Sequence, residues 1–172
     1  MQSTLIIIRG NSGSGKTTIA QQLQKELGPG TMLISQDVIR RDILHTKDRE
    51  GNPSIQLIQN IAIYGKEHCN HVIIEGILGN KNYQAMLHEL ITLFNKQAIV
   101  CYFDIPFAET LKRHQTKPNA HEFGVQKMQE WWLDKDYLGV PNEIIWTAQD
   151  TPTEILHSLH EQLKKAVPMR NS

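Results

Sequence analysis

Gly10-Asn11-Ser12-Gly13-Ser14-Gly15-Lys16-Thr17, followed by Thr18, fits the pattern G-x-x-x-x-G-K-[ST] at every fixed position. Its surroundings constrain the chain as much as the match does. Before it, Leu5-Ile6-Ile7-Ile8 is apolar, β-branched and too short for a helix, which predicts a buried strand. After it, Ile19, Ala20, Leu23 and Leu27 fall on one helical face. Glycines let the intervening loop curl so that its N–H groups point at a phosphate chain. The helix N-terminus adds partial positive charge at the same place. A mere glycine-rich turn is the bland alternative, and chance rarely supplies motif and context together. The expectation is a triphosphate site built from Asn11, Ser12, Gly13, Ser14, Gly15, Lys16, Thr17 and Thr18. Lys16 would reach the β- and γ-phosphates, and the Thr17 hydroxyl would ligate Mg²⁺.

A chain of 172 residues fits one domain with a sizeable core. Its 18 basic and 18 acidic residues cancel, so no global positive field favours a long nucleic acid. Cys69 and Cys101 do not make a disulfide framework. The chain leads straight into its first strand, and no apolar run approaches membrane-spanning length. The reading is therefore a cytoplasmic protein with no membrane contact.

Short apolar runs alternate with helical periodicity to the end. Strands are expected at Thr31 to Ser35, Val72 to Ile74, Ala98 to Phe103 and Glu143 to Trp146. Between them, helices are expected at Asp37 to Leu44, at 54 to 68, after a capping Asn80, at about 106 to 115, and through Val125, Met128 and Trp132. Thr151-Pro152-Thr153-Glu154 is a capping box with proline at the first helical position. From Pro168 onward the tail is expected to fray. Such alternation implies a parallel sheet covered on both faces, a three-layer α/β/α sandwich. Ligands in such sheets bind at the carboxyl ends of the strands.

The residues just after each strand therefore carry the chemistry. Asp37 follows the second strand and faces the phosphate loop, which suits a base accepting a proton from a hydroxyl. Its competing reading is a helix cap. Arg40 and Arg41 stand one turn on and could clamp an acceptor anion or the transferring phosphoryl group, with Arg40 favoured as the inward one. Glu75 and Gly76 end the third strand, where a carboxylate can hold a substrate hydroxyl or a Mg²⁺-bound water. The metal would thus sit on Thr17, with Asp37 or Glu75 acting through water. Arg113, with His114 and Lys117 nearby, opens a segment at about 114–140 suited to a lid over the nucleotide phosphates. His68, Cys69 and His71 match no zinc spacing.

Together, Gly10–Thr17, Ser35-Gln36-Asp37, Ile73-Ile74-Glu75-Gly76-Ile77 and the Arg113 segment resemble the small P-loop kinases. Ser-Gln-Asp and Ile-Ile-Glu-Gly-Ile are similar to the uridine kinase branch, and Asp37-x-x-Arg40 is similar to the polynucleotide kinase and zeta-toxin branch. Val38-Ile39-Arg40 departs from the aromatic pair the uridine kinases carry. The resemblance implies a P-loop NTPase sheet of five parallel strands with the phosphate-loop strand central and a helical lid. It places adenine between Arg113 and the Thr147-Ala148-Gln149 turn, so Gln149 joins the ATP contacts.

The expected activity is transfer of the γ-phosphoryl group from ATP, with Mg²⁺, to a hydroxyl of a small-molecule or nucleoside-like acceptor. Lys16, Asp37 and Arg113 would be the catalytic residues. The alternatives are a 5′-hydroxyl polynucleotide kinase or zeta-toxin-like kinase and, from another class, a nucleotide-dependent regulatory switch. A nucleic-acid acceptor is the less favoured, given the neutral charge.

Overall fold

The computed structural model describes residues 2–95, 97–116 and 124–166. Strand β1 (Thr4–Gly10) is buried along its whole length. It pairs in parallel with β3 (His71–Gly76) on one side and β4 (Ala98–Phe103) on the other. The edges are β2 (Thr31–Ser35) beside β3 and β5 (Ile144–Trp146) beside β4, giving the order β2-β3-β1-β4-β5.

Alternation along β1 decides the layers. Leu5 and Ile7 face the core beneath α2 (Pro53–His68) and α3 (Asn80–Leu93), with Ile58, Ala62, Leu87 and Leu90. Ile6 and Ile8 face the core beneath α1 (Lys16–Leu27) and α6 (Pro152–Ala166), with Leu23, Leu159 and Leu163. A central parallel strand is apolar on both faces because both are covered. Each such side chain contributes about 1.5–3 kcal/mol by leaving water. The fold is the expected three-layer α/β/α sandwich. The remaining helices are α4 (Phe107–Gln115) and α5 (Val125–Glu130). Among the described residues no helix is long and apolar enough to cross a membrane.

Local departures from the sequence reading have identifiable causes. The helix after β2 is a π-helix, Val38–Ile43. The Leu44 N–H reaches back to the Ile39 carbonyl at 3.0 Å, the wide-turn spacing found often at functional sites. Asn80 does not cap α3; Gly79 holds that position, and the Asn80 side chain is drawn into tertiary bonds. α5 ends before Trp132, whose ring instead meets Phe107 edge-on at 5.2 Å. The Thr151–Glu154 box forms as expected, with the Thr151 N–H on Glu154 Oε2 at 2.9 Å and the Glu154 N–H on Thr151 Oγ1 at 3.3 Å. The tail from Pro168 lies outside the described residues.

Candidate active site

The loop between β1 and α1 is wedged in place. Gly13 and Gly15 take left-handed backbone, φ +78° and +98°, which glycine adopts without cost. A Cβ on Gly13 would sit 2.5 Å from the Thr110 carbonyl oxygen of α4. Lys16 is buried, and its Nζ donates to the Asn11 carbonyl at 3.1 Å, inside the curl of the loop. Arg113 leans over from α4 and donates from Nη1 to the Ser14 carbonyl at 2.8 Å, while its Nε meets Glu109 at 3.3 Å. Ser12 is half-buried and Thr18 exposed. The loop and Arg113 thus form one unit, joined by side chains from two elements.

Beside it the ends of β2 and β3 meet the first turn of α1. Register pairs Glu75 with Ile8 on one side and Ser35 on the other. Glu75 is 2% exposed, and it takes one hydrogen bond on each carboxylate oxygen. Thr17 Oγ1 donates to Oε2 at 3.0 Å, and Ser35 Oγ donates to Oε1 at 2.6 Å. Thr17, Glu75 and Ser35 are therefore one chain of oxygen donors at the foot of the loop. Hydroxyl and carboxylate oxygens are the hard ligands Mg²⁺ prefers, so these residues fit that ion. Gly76 follows with no room for a side chain, because Gln36 packs against it. Gln36 accepts from the Leu78 N–H at 2.9 Å and donates to Asp48 at 3.2 Å, fixing the backbone just past Glu75.

Asp37 is placed differently from Glu75. Its side chain is 63% exposed and makes no cap bond to the following helix. Arg40 Nη2 donates to its Oδ1 at 3.3 Å, and Arg41 Nε lies 3.6 Å from the same oxygen. Arg40, the more buried of the two, also donates to the Thr46 carbonyl at 3.2 Å. The π-helix thus holds an exposed carboxylate between two guanidinium groups. Gln149 is exposed in the turn after β5, its N–H on Thr147 Oγ1 at 3.4 Å. Among the described residues no hydrogen bond joins it to Arg113. Lys117 lies outside the described residues.

Two features escape the sequence reading. The Asn11 side chain turns to the segment after α5. Its Nδ2 donates to the Leu133 carbonyl at 2.6 Å, and its Oδ1 accepts the Leu133 N–H at 2.9 Å. Arg9, the last β1 side chain on the α2–α3 face, is fully buried. It donates to the Asp136 carboxylate and carbonyl at 2.8 Å each, to the Leu78 carbonyl at 3.0 and 3.2 Å, and to Asn80 Oδ1 at 3.1 Å. Burial holds the guanidinium below its usual pKa, and Asp136 and Glu143 oppose that shift. Tyr137 donates to Asp104 at 2.7 Å, which pushes its pKa up to about 12. Residues 133–138 are thereby fastened across the ends of β1, β3 and β4. A lone arginine closing an apolar strand was the available signal, since buried charges need partners.

A family model described as an AAA domain matches residues 5–131. The chain belongs to that family. Among solved structures it is similar to the Mycobacterium tuberculosis APS kinase in complex with AMPPNP and APS, with a TM-score of 0.70 at 15% identity over 95% of this chain and 98% of that one. It is similar to a Sinorhizobium meliloti gluconokinase, TM-score 0.63 at 15% identity over 95% and 93%. It is also similar to a Bacteroides thetaiotaomicron shikimate kinase, TM-score 0.56 at 18% identity over 94% and 98%. These likenesses carry the fold of P-loop kinases. Comparison with curated proteins finds no match.

Proposed function

We propose that the protein is an ATP- and Mg²⁺-dependent kinase that phosphorylates a hydroxyl of a small-molecule or nucleoside-like acceptor. The observation that carries this reading is the Thr17–Glu75–Ser35 chain at the foot of a loop that already cradles the Lys16 ammonium. The loop amides and Lys16 hold the β- and γ-phosphates. Thr17 directly, and Glu75 through water, would hold Mg²⁺, which when bound neutralises charge on the phosphate oxygens. Asp37, oriented by Arg40 and Arg41, takes the proton from the acceptor hydroxyl. The acceptor oxygen bonds to the γ-phosphorus as the bond to the bridging oxygen breaks, and ADP leaves. Arg113 and Arg40 balance the charge spread over the phosphoryl oxygens.

The fold shared with enzymes named APS kinase, gluconokinase and shikimate kinase favours a small acceptor over a polynucleotide. The test incubates the protein with labelled ATP, Mg²⁺ and a panel of hydroxyl metabolites, nucleosides and 5′-hydroxyl oligonucleotides. Lys16→Ala and Asp37→Asn are both expected to abolish transfer, with ATP affinity nearly intact in Asp37→Asn. Full turnover by Asp37→Asn would remove the base assignment. Labelled oligonucleotide with steep salt dependence would move the reading to a polynucleotide kinase.

A further inference from the structure

Asn11 belongs to the phosphate loop by sequence, yet each end of it serves a different part of the site. Its carbonyl receives the Lys16 ammonium at 3.1 Å. Its side-chain amide pairs with both backbone groups of Leu133, a residue 122 positions away. That side chain is buried, so neither bond competes freely with water.

Leu133 opens a strap that runs on to the β3–α3 turn. A Cβ on Gly79 would lie 2.9 Å from Leu133 Cδ1, so the leucine rests on that turn. Asp136 accepts the Asn80 N–H at 2.9 Å, and the Tyr137 carbonyl accepts from Asn80 Nδ2 at 2.6 Å. Residues 76–80 follow Glu75 directly, on the side of the site away from α4. On the kinase reading, that turn and the strap above it form the wall against which an acceptor would rest.

We infer that Asn11 is a positioning residue that couples nucleotide occupancy of the loop to the order of this acceptor-side wall. The coupling has a physical route. A bound triphosphate draws the Lys16 ammonium from the Asn11 carbonyl onto its phosphates. The Asn11 carbonyl then keeps the Ser14 N–H, which it accepts at 3.2 Å, and loses the ammonium, and the rigid amide passes the adjustment to Leu133. Acceptor affinity then depends on the nucleotide through a contact with neither ligand. Coupling energies of this kind typically alter affinity by about 5–150-fold.

The inference rests on the kinase reading only for its acceptor arm; the nucleotide arm stands alone. The first measurement is amide hydrogen exchange with and without Mg²⁺ and AMPPNP, beside the tryptophan emission, to which Trp132 next to Leu133 contributes. In the unmodified protein AMPPNP is expected to slow exchange in residues 131–138. At saturating AMPPNP, Asn11→Ala is expected to lose that slowing, and Asn11→Asp, which retains the oxygen that accepts the Leu133 N–H, to fall between. With ATP and an acceptor found in the panel, Asn11→Ala is expected to raise acceptor KM about tenfold, well beyond any change in ATP KM. A merely structural clasp would leave the nucleotide-dependent difference intact, and that result overturns the inference. Equal loss of ATP affinity in Asn11→Ala also overturns it, by making Asn11 an ordinary nucleotide contact. If no acceptor is esterified but the exchange difference follows Asn11, the kinase reading fails and the coupling survives. Thermal melts of both variants show whether they are folded.

Discussion

Replacing Arg9 with methionine probes how much the fold depends on the charge under the site. Methionine keeps an unbranched apolar stem of similar reach and removes every donor. The variant strands the Leu78 carbonyl, the Asp136 carbonyl and the Asp136 carboxylate, all of which Arg9 now satisfies. A buried acceptor left unpaired costs about 1–3 kcal/mol, and deleting one partner of a buried ion pair costs about 3–5 kcal/mol. Asp136 softens the loss, because its side chain is 20% exposed and it retains the Asn80 N–H. The expected destabilisation is therefore near the low end, about 3 kcal/mol, a large share of the ~5–15 kcal/mol of an ordinary domain. Urea unfolding followed by circular dichroism reads it as a lower midpoint at unchanged slope. The double variant Arg9→Met/Asp136→Leu should lose less than the sum of its singles, since neither charge is then left alone. A loss below about 1 kcal/mol for Arg9→Met, or additive singles, would refute the argument.

Glu75→Gln keeps the shape of the carboxylate and removes its charge from Thr17; activity should fall about 10–100-fold with a higher Mg²⁺ requirement, while the thermal melt moves little. Unchanged kinetics would take Glu75 out of the site. Gly13→Ala must fit a Cβ 2.5 Å from the Thr110 carbonyl at φ +78°. The backbone strain alone is about 1–3 kcal/mol, so a lower melting temperature and weaker ADP binding by titration are expected together. Tyr137 gives a pH test: its pKa is raised from 10.0 to about 12 by the bond to Asp104. A raised pKa stabilises the fold fully below the unfolded value and ceases to as pH rises through the folded one. The stability advantage over Tyr137→Phe should hold at neutral pH and vanish near pH 12 in urea titrations; an advantage that grows with alkali would reverse the assignment.

The layers were legible because β1 alternates without a break, so Leu5 and Ile7 must face one set of helices and Ile6 and Ile8 the other. Glu75 was legible because a carboxylate closing an apolar run at a strand end has few reasons to be there. The bond from Asn11 to Leu133 was not, since it spans 122 positions and two loops with no periodicity to align them. Asn80 reads as a helix cap from its neighbours alone; Arg9 and Tyr137 outcompete that local role once the chain is folded. Val38-Ile39-Arg40-Arg41-Asp42-Ile43 has too few apolar residues to distinguish a π-turn from an α-turn. What sequence reveals here is what local spacing controls, and the Gly10–Thr17 loop is local.

Phosphoryl transfer to a hydroxyl is decided by product analysis. The protein, ATP, Mg²⁺ and the acceptor panel are incubated and separated by mass spectrometry. A phosphate monoester of one acceptor is expected to form in step with ADP and to be absent with Lys16→Ala. Release of ADP and inorganic phosphate with every hydroxyl compound left unmodified, at a rate raised only by a protein partner, would contradict it.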